Sequence, residues 1–306
     1  MPNPPSPDKE REAASPQRGF SWFPGHMRKA LRQLESQLEL ADVVLLVLDA
    51  RLPRSSRQPE LEELLARKRK ELIFVLNKSD LAQAEETERW LAWFKKAQLR
   101  AVSMRSSSGR GAGPLEQSLA QVRQQLNTKR QAKGMRPRDP RLVVAGIPNV
   151  GKSSLLNRLA GATRAKTGAK PGVTRGNQWV SVEGKWQILD SPGILYPKIE
   201  DAQTLMALAA ASCVRHEAIP QELAGQLLLE TLWERQLRPP FIPLSLWEEW
   251  QGENSPLTPE ERLAQLAWAK KLTIANKEPD IPRCAHHLLQ AFAQGEMAPL
   301  TLELAP

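Results

Sequence analysis

A glycine-rich loop between an apolar segment and a helical segment constrains the fold of this chain most. Residues 142–145 (Leu-Val-Val-Ala) have the apolar, β-branched character of a buried strand, and the pattern after the loop is helical. Between them, Gly146 and Gly151 are separated by four residues, and Lys152 and Ser153 follow. Glycines let successive backbone N–H groups turn inward, and the start of the next helix adds positive charge. The pattern predicts a loop that wraps phosphate groups at the tip of a strand.

Two residues of this loop have defined chemistry in such sites. Lys152 is expected to contact the β- and γ-phosphates of a nucleotide, and Ser153 to ligate Mg²⁺. A further motif, Asp190-x-x-Gly193, follows another predicted strand. Asp190 would help to hold the same ion, and the Gly193 N–H would sense the γ-phosphate. These four residues are also typical of a turn, but their position downstream of a phosphate loop favours the magnesium interpretation.

A candidate base-reading motif lies earlier in the chain. Residues 77–80 read Asn-Lys-Ser-Asp and follow an apolar segment at residues 72–76. The Asp80 carboxylate can accept hydrogen bonds from guanine N1–H and the 2-amino group, whereas adenine offers neither donor. The stem of Lys78 can lie along the ring face, and Asn77 can brace the loop. The alternative is a capped strand end, but ligands bind at the carboxyl ends of strands in such sheets.

The order of these motifs indicates a rearranged fold. Strands that alternate with helices predict an α/β fold with a doubly wound, mostly parallel sheet. In Ras-like GTPases the phosphate loop precedes the guanine motif, whereas here the guanine motif comes about seventy residues earlier. A set of parallel strands tolerates a new chain start if the original ends are joined. The basic segment at residues 128–141, which contains Gly134 and two prolines, is predicted to be that joint, a linker without secondary structure.

Two segments carry a family resemblance. Residues 22–27 (Trp-Phe-Pro-Gly-His-Met) and residues 146–154 (Gly-Ile-Pro-Asn-Val-Gly-Lys-Ser-Ser) resemble the circularly permuted YlqF/RbgA ribosome-biogenesis GTPases. The resemblance extends from about Gly19 to the C-terminus. It implies a circularly permuted Ras-like GTPase domain that hydrolyses GTP to GDP and phosphate, followed by a small all-α domain.

The resemblance also implies roles for individual residues. Thr174 would reach Mg²⁺ when GTP is bound, residues 103–108 would touch the guanine from its other side, and Asn149 would help to ligate K⁺. The predicted nucleotide-binding residues are Asn77, Lys78, Ser79, Asp80, Asn149, Val150, Gly151, Lys152, Ser153, Ser154, Thr174 and Gly193, and the predicted metal ligands are Ser153, Thr174 and Asp190 for Mg²⁺ and Asn149 for K⁺.

The group that orients the attacking water is missing from the Asp190 motif. Ile194 stands where Ras-like enzymes place a glutamine, and an isoleucine side chain cannot orient water. Hydrolysis is therefore expected to be slow until a partner supplies or orders the missing group. The resemblance points to His26 as the catalytic residue, and the alternative is a structural histidine in an aromatic turn.

The chain is predicted to divide into three parts. Residues 1–18, rich in Pro, Ser and charge, form a disordered tail, residues 19–200 the permuted GTPase domain and residues 201–306 a helical domain. The resemblance implies that the helical domain contacts RNA, although Lys277-Glu278-Pro279 replaces the glycine pair that often precedes Asp280 in the family. The formal net charge of +9 fits a nucleic-acid partner, and it also fits solubility alone.

These observations lead to one functional hypothesis with alternatives. The hypothesis is a GTPase switch that binds the large ribosomal subunit and its rRNA in the GTP state and leaves after hydrolysis. The alternatives are a GTPase of tRNA modification or membrane signalling, and an RNA-binding protein with a vestigial nucleotide site. The intact phosphate and guanine motifs argue against the vestigial site.

The remaining features predict an ordinary cytoplasmic environment. The longest apolar runs are too short to span a bilayer, so no membrane partner is expected. The two cysteines, Cys213 and Cys284, are far apart in the sequence and form no Cys-x-x-Cys pair, which argues against a disulfide framework or a zinc site. We expect a cytoplasmic monomer.

Overall fold

A six-stranded sheet organises the first two thirds of the chain. The computed structural model describes residues 20–21, 35–108, 111–160, 180–182, 185–190, 198–199, 201–214, 219–252, 257–297 and 299–306. The strands within these residues are β1 (Phe20–Ser21), β2 (Val43–Asp49), β3 (Glu71–Asn77), β4 (Arg100–Ser103), β5 (Arg141–Ala145), β6 (Val180–Val182), β7 (Trp186–Asp190) and β8 (Lys198–Ile199).

The strand order of the main sheet is β4-β3-β2-β5-β7-β6. Each pair of neighbours from β4 to β7 is parallel, and β6 runs antiparallel to β7 at the edge. Strands β1 and β8 form a separate antiparallel pair. The predicted α/β fold with a mostly parallel sheet is confirmed, since helices connect the parallel strands.

Strand β2 lies at the centre of the sheet and is buried on both faces. All seven of its residues are buried. Because successive side chains point to opposite faces, Leu45 and Val47 join one core, whereas Leu46 and Leu48 join the other. The continuous apolar sequence of this strand therefore results from helices that cover both faces of the sheet.

Helices cover the sheet and make up most of the C-terminal part. They are α1 (Pro59–Arg67), α2 (Ala84–Lys96), α3 (Ala112–Gln131), α4 (Lys152–Ala160), α5 (Ala202–Ala210), α6 (Gln221–Glu234), α7 (Leu244–Gln251), α8 (Pro259–Ala269) and α9 (Ile281–Gln294). Residues 35–40 are also helical. Within the described ranges, we find no helix with the length and apolar character needed to cross a membrane.

The basic segment between α3 and β5 is shorter than the sequence predicted. Helix α3 continues to Gln131, and β5 begins at Arg141, so the prediction of a linker over residues 128–141 needs correction at both ends. Within the basic segment, only residues 132–140 lack regular secondary structure. Lys129 and Arg130 are good helix formers, and cations are favourable in the last turn of a helix. The basic residues that were assigned to the linker therefore include the last turn of α3.

Three of the C-terminal helices, α5, α8 and α9, begin at polar caps, whereas α6 and α7 begin after prolines without a side-chain cap. At the start of α8, Thr258 Oγ1 accepts the Glu261 N–H at 3.2 Å, and the Glu261 carboxylate accepts the Thr258 N–H at 2.7 Å. Asp280 caps α9 in the same way by accepting a first-turn N–H group. Helices α6 and α9 approach closely at Gly225, where an added Cβ would lie 2.9 Å from the Cβ of Ala285.

The last residues of the chain return from the helices to the α/β part. The Leu300 N–H donates to the Leu81 carbonyl at 2.9 Å, and the Leu302 N–H donates to the Arg51 carbonyl at 2.7 Å. The Glu303 carboxylate accepts hydrogen bonds from backbone N–H groups in the loop after β2. These contacts attach the helical part to loops at the carboxyl ends of β2 and β3.

The close approach of α6 and α9 gives a test by overpacking. We expect Gly225→Ala to lower the free energy of unfolding by about 1–3 kcal/mol, because the new methyl group meets Ala285. Gly113→Ala in α3 is the matched control, since a Cβ there meets nothing within 4 Å. The control is expected to be neutral or to stabilise by up to about 1 kcal/mol. Urea unfolding of both variants measures the difference, and equal effects would contradict the packing.

Candidate nucleotide-binding site

The carboxyl ends of the parallel strands bring the predicted motifs to one edge of the sheet. Strand β3 ends at Asn77, β5 leads into the glycine-rich loop, and β7 ends at Asp190. The strand register pairs Asp49 with Asn77 and Val144 with Asp190. Since ligands bind outside the carboxyl ends of the strands in open parallel sheets, this edge is the candidate site.

Two glycines of the loop after β5 occupy positions that other residues do not fit. Gly146 has φ +146°, and a Cβ there would lie 2.5 Å from the Val47 carbonyl oxygen. Gly151 has φ +94°, and a Cβ there would lie 2.2 Å from Asn77 Nδ2. Glycine alone adopts these conformations without strain and leaves the needed space. The loop therefore packs directly against the ends of β2 and β3.

The end of this loop has the properties of an anion site. The Lys152 side chain is buried, and its Nζ donates to the Ile147 carbonyl at 2.8 Å within the loop. Ser153 and Ser154 are exposed in the first turn of α4. First-turn N–H groups lack partners within the helix and point toward a bound anion. An ammonium group, hydroxyl groups and backbone N–H groups thus converge where phosphates would bind.

The side chain of Asn77 joins three loops. It is buried at the end of β3, and its Nδ2 donates to the Val150 carbonyl at 2.8 Å. Its Oδ1 accepts the Ser106 N–H at 2.9 Å. The sequence suggested that Asn77 braces its own loop, and in the structure it also holds the phosphate loop and the loop after β4. Residues 103–108, the predicted second guanine contact, therefore lie beside the guanine motif.

Lys78 is held by a buried carboxylate that sequence reasoning missed. Asp49 is fully buried at the end of β2, and its Oδ2 accepts hydrogen bonds from Lys78 Nζ and Arg51 Nη2, both at 2.9 Å. Burial acts to raise the pKa of Asp49, but the charges and hydrogen bonds of Arg51 and Lys78 outweigh it and lower the pKa to about 2. The only signal in the sequence was Asp-Ala-Arg at the end of an apolar strand.

Asp80 is paired in this structure with a second residue that the sequence did not reveal. Its Oδ2 lies 3.2 Å from Arg105 Nε. The Ser79 N–H also donates to the Met104 carbonyl at 3.3 Å, so the guanine motif and the loop after β4 are joined by the backbone as well. Two guanine donors require both carboxylate oxygens, so a bound base must share Oδ2 with Arg105 or displace it.

The helical part forms one wall of the candidate site. Asn149 has φ +60° and is exposed on the phosphate loop, and its Nδ2 donates to the Ser212 carbonyl at 2.6 Å in the turn after α5. A cavity of about 420 Å³ separates the loop from α9, and Lys78, His286 and Gln290 also line it. The Ser212 contact orients the Asn149 amide, whose Oδ1 is the atom that could ligate a cation.

The predicted magnesium ligands lie only partly within the described residues. Asp190 ends β7, and Ser153 lies in the first turn of α4, at the same edge of the sheet. Carboxylate and hydroxyl oxygens are the ligand type that Mg²⁺ prefers, so these residues fit the ion. His26, Thr174 and Gly193 lie outside the described residues. In the part of the chain that the structure describes, no cluster of three His, Cys, Asp or Glu side chains forms a separate metal site.

Comparison of the sequence with known proteins leads to the same interpretation. Residues 141–224 match the profile of a family described as 50S ribosome-binding GTPase. The chain is 43% identical over 196 residues to ribosome biogenesis GTPase A of Bacillus cereus, and the match covers 64% of this chain and 66% of that protein, just under two thirds. It is 36% identical over 288 residues to ribosome biogenesis GTPase A of Thermotoga maritima, with coverage of 93% and 94%.

Comparison with solved structures extends the likeness over both parts of the chain. The structure of GNP-bound YlqF from T. maritima matches with a TM-score of 0.64 at 26% identity and covers 90% of this chain and 98% of that chain. The GDP-bound structure of YlqF from the same organism matches with a TM-score of 0.63. The α/β part and the C-terminal helices therefore share the fold of a known nucleotide-binding protein.

The guanine motif gives a direct test of base recognition. We expect Asp80→Asn to weaken GTP binding and to favour xanthosine triphosphate, because an amide donor matches the 2-oxo group of xanthine and not the 2-amino group of guanine. Asp42→Asn is the control, since the Asp42 carboxylate also binds an arginine, at 2.8 Å, but lies at the opposite end of β2. Calorimetric titration with both nucleotides measures the preference. Unchanged GTP affinity in Asp80→Asn would remove residues 77–80 from base recognition.

Proposed function

The chain belongs to the circularly permuted YlqF/RbgA family of ribosome-biogenesis GTPases, and we propose that its GTP cycle is a switch in assembly of the large ribosomal subunit. It is a GTPase that acts in ribosome biogenesis. In the proposed cycle, the GTP-bound form binds the large subunit and its rRNA, and hydrolysis releases the protein. The nucleotide site that this cycle needs is supported mainly by the 2.8 Å hydrogen bond from Asn77 to Val150, because it joins the proposed base-reading and phosphate-binding motifs into one site.

The proposed nucleotide position follows from the contacts at this edge. Guanine would bind between Lys78 and the Ser106 loop, with its two donors on Asp80. The phosphates would lie on the N–H groups of residues 149–154, and Lys152 Nζ would exchange the Ile147 carbonyl for phosphate oxygens. The Lys152 side chain already lies in the loop, so a rotation of this side chain would bring Nζ to the phosphates.

Mg²⁺ accompanies GTP in this class of enzyme, and its proposed ligands are oxygen atoms of this chain. Ser153, Thr174 and Asp190 would hold the ion beside the β- and γ-phosphates, where it offsets the negative charge that develops during transfer. The residues of the chain then orient the substrate. Lys152 stabilises the phosphate charge, and the Gly193 N–H contacts the γ-phosphate and thereby reports whether GTP or GDP is bound.

The water that attacks the γ-phosphate needs a residue to orient it, and we assign this role to His26. The side chain of Ile194, the residue after Gly193, offers no hydrogen-bonding group. A neutral imidazole near pH 7 can accept a hydrogen bond from water and orient it. We propose that binding of the large subunit brings His26 within hydrogen-bond reach of that water. GTP hydrolysis is then slow in the free protein and fast in the complex with the large subunit.

A basic surface supports rRNA as the partner. Lys129, Lys133 and Arg136 are exposed at the end of α3 and in the segment after it. Such side chains bind nucleic-acid phosphates, and the net charge of +9 favours the same partner. We place the protein in the cytoplasm as a monomer. The alternative, a GTPase of tRNA modification, would co-purify with a modifying enzyme and not with ribosomal subunits.

K⁺ is proposed as a second ion on the basis of Asn149. We expect K⁺ to stimulate GTP hydrolysis more than Na⁺ at equal ionic strength, because the Asn149 amide oxygen would place the larger ion against the phosphates. Asn149→Ala should abolish the difference between the salts. Asn157→Ala, an asparagine of α4 outside the loop, should keep it. Steady-state phosphate release measures these rates, and equal rates of the parent protein in the two salts would exclude K⁺ from the mechanism.

The role of His26 is tested by single-turnover hydrolysis with and without large subunits. We expect strong stimulation of the parent protein, and a stimulated rate lower by roughly 100-fold or more in His26→Ala, with GTP affinity retained. Stimulation should also fall as salt rises, because phosphate contacts release counterions. Equal stimulation of the variant and the parent would make His26 structural. Stimulation by the small subunit alone would contradict the proposed partner.

A further inference from the structure

A buried arginine connects the guanine motif to the C-terminal helices. Arg51 is 1% exposed, and it binds Asp49 through Nε at 3.0 Å, through Nη2 at 2.9 Å and through its backbone N–H at 3.1 Å. The same carboxylate binds Lys78 Nζ at 2.9 Å. A bidentate guanidinium fixes the plane of a carboxylate, and the carboxylate in turn fixes the position of the ammonium group. Arg51 thus acts on Lys78 through Asp49.

The other side of the same guanidinium contacts α9. Arg51 Nη1 donates to the Phe292 carbonyl, and Arg51 Cζ lies 4.4 Å from the centroid of the Phe292 ring. A second contact joins the same elements, because Gly295 at the end of α9 has φ +84° and an added Cβ would lie 2.6 Å from Leu81 Cδ2. Leu81 directly follows Asp80. The end of α9 therefore contacts Arg51, which is bonded to Lys78 through Asp49, and also Leu81, the residue next to the guanine motif.

We propose that Arg51 is a positioning residue for guanine recognition, which holds Lys78 against the base and makes that position depend on the docking of α9. The inference rests on the proposed guanine site. Its physical basis is that Asp49 and Arg51 have no access to solvent, so water cannot replace a lost partner. If α9 moved away, the guanidinium would lose its carbonyl acceptor and its aromatic face, and the orientation of Asp49 and Lys78 would change. The affinity for guanine nucleotides would fall because Lys78 would no longer be held against the base.

The test is a double-mutant cycle on GDP affinity in the full-length protein. GDP is titrated by calorimetry into the parent protein, Arg51→Met, Lys78→Met and the double variant. We expect each single variant to bind GDP roughly tenfold more weakly, and the double variant to bind about as weakly as Lys78→Met. Non-additivity of this kind means that Arg51 acts through Lys78. Additive losses in affinity would overturn the proposal.

Arg57→Met is the matched control for loss of a packed arginine. Arg57 stacks on Trp93 at 5.2 Å and pairs with Glu62, and these partners lie in α2 and α1, outside the guanine motif. We expect this variant to lose thermal stability and to keep the parent affinity for GDP. If Arg51→Met likewise loses stability but keeps GDP affinity, Arg51 is only structural and the proposal is wrong.

A second variant reaches the same connection from α9. Phe292→Leu removes the aromatic face under Arg51 and keeps the backbone carbonyl, so we expect GDP affinity to fall several-fold. Added to Lys78→Met, Phe292→Leu should cause no further loss of affinity. This variant decides the question if Arg51→Met does not fold, and unchanged affinity would then overturn the proposal. If the parent protein itself fails to bind GDP, the proposed guanine site is wrong, which is a different outcome from failure of the Arg51 connection.

Discussion

The two hydrogen bonds of the Asn77 amide hold the site together. The amide donates to Val150 at 2.8 Å and accepts from Ser106 at 2.9 Å, and these partners are 73 and 29 residues away in the sequence. The order of the strands explains how the Asn77 side chain contacts the loop after β5. Strands β3 and β5 lie on either side of β2, and the amide crosses the tip of β2 between them. Gly151 makes room for it, since a Cβ there would lie 2.2 Å from Asn77 Nδ2. In a chain with permuted motif order, non-covalent contacts of this kind hold the base-reading and phosphate-binding loops in register.

Much of this arrangement was predictable from local sequence. The apolar segments that precede Asn77 and Gly146 predicted parallel strands, and the glycine spacing predicted the loop, because these features depend on neighbouring residues only. The partners of Asp49 were not predictable in the same way. Arg51 bonds a carbonyl 241 residues away, and nothing in the Asp-Ala-Arg sequence indicates where that carbonyl lies. The pairing of Asp80 with Arg105 likewise depends on how the loop after β4 folds back.

The helical part contacts three loops at the carboxyl edge of the sheet. It contacts the phosphate loop through Ser212 and Asn149, and the loop after β2 through Phe292 and Arg51. It also contacts the residue that follows the guanine motif, through Leu300 and Leu81. Each contact involves a loop at the carboxyl edge of the sheet, where the nucleotide is proposed to bind. A ligand that alters these loops therefore alters the docking surface of the helices, and the reverse holds by linkage. In the proposed cycle, this reciprocity would connect nucleotide state to ribosome binding.

In the proposed cycle, nucleotide state controls binding of the protein to the large subunit, and sedimentation measures this binding. The protein is mixed with purified large or small subunits in the presence of GDP or a GTP analogue that cannot be hydrolysed, and each mixture is centrifuged through a sucrose cushion. We predict that the protein sediments with the large subunit in the presence of the analogue and stays in the supernatant with GDP. Equal sedimentation with the two nucleotides, or binding to the small subunit instead, would show that nucleotide state does not control binding to the large subunit.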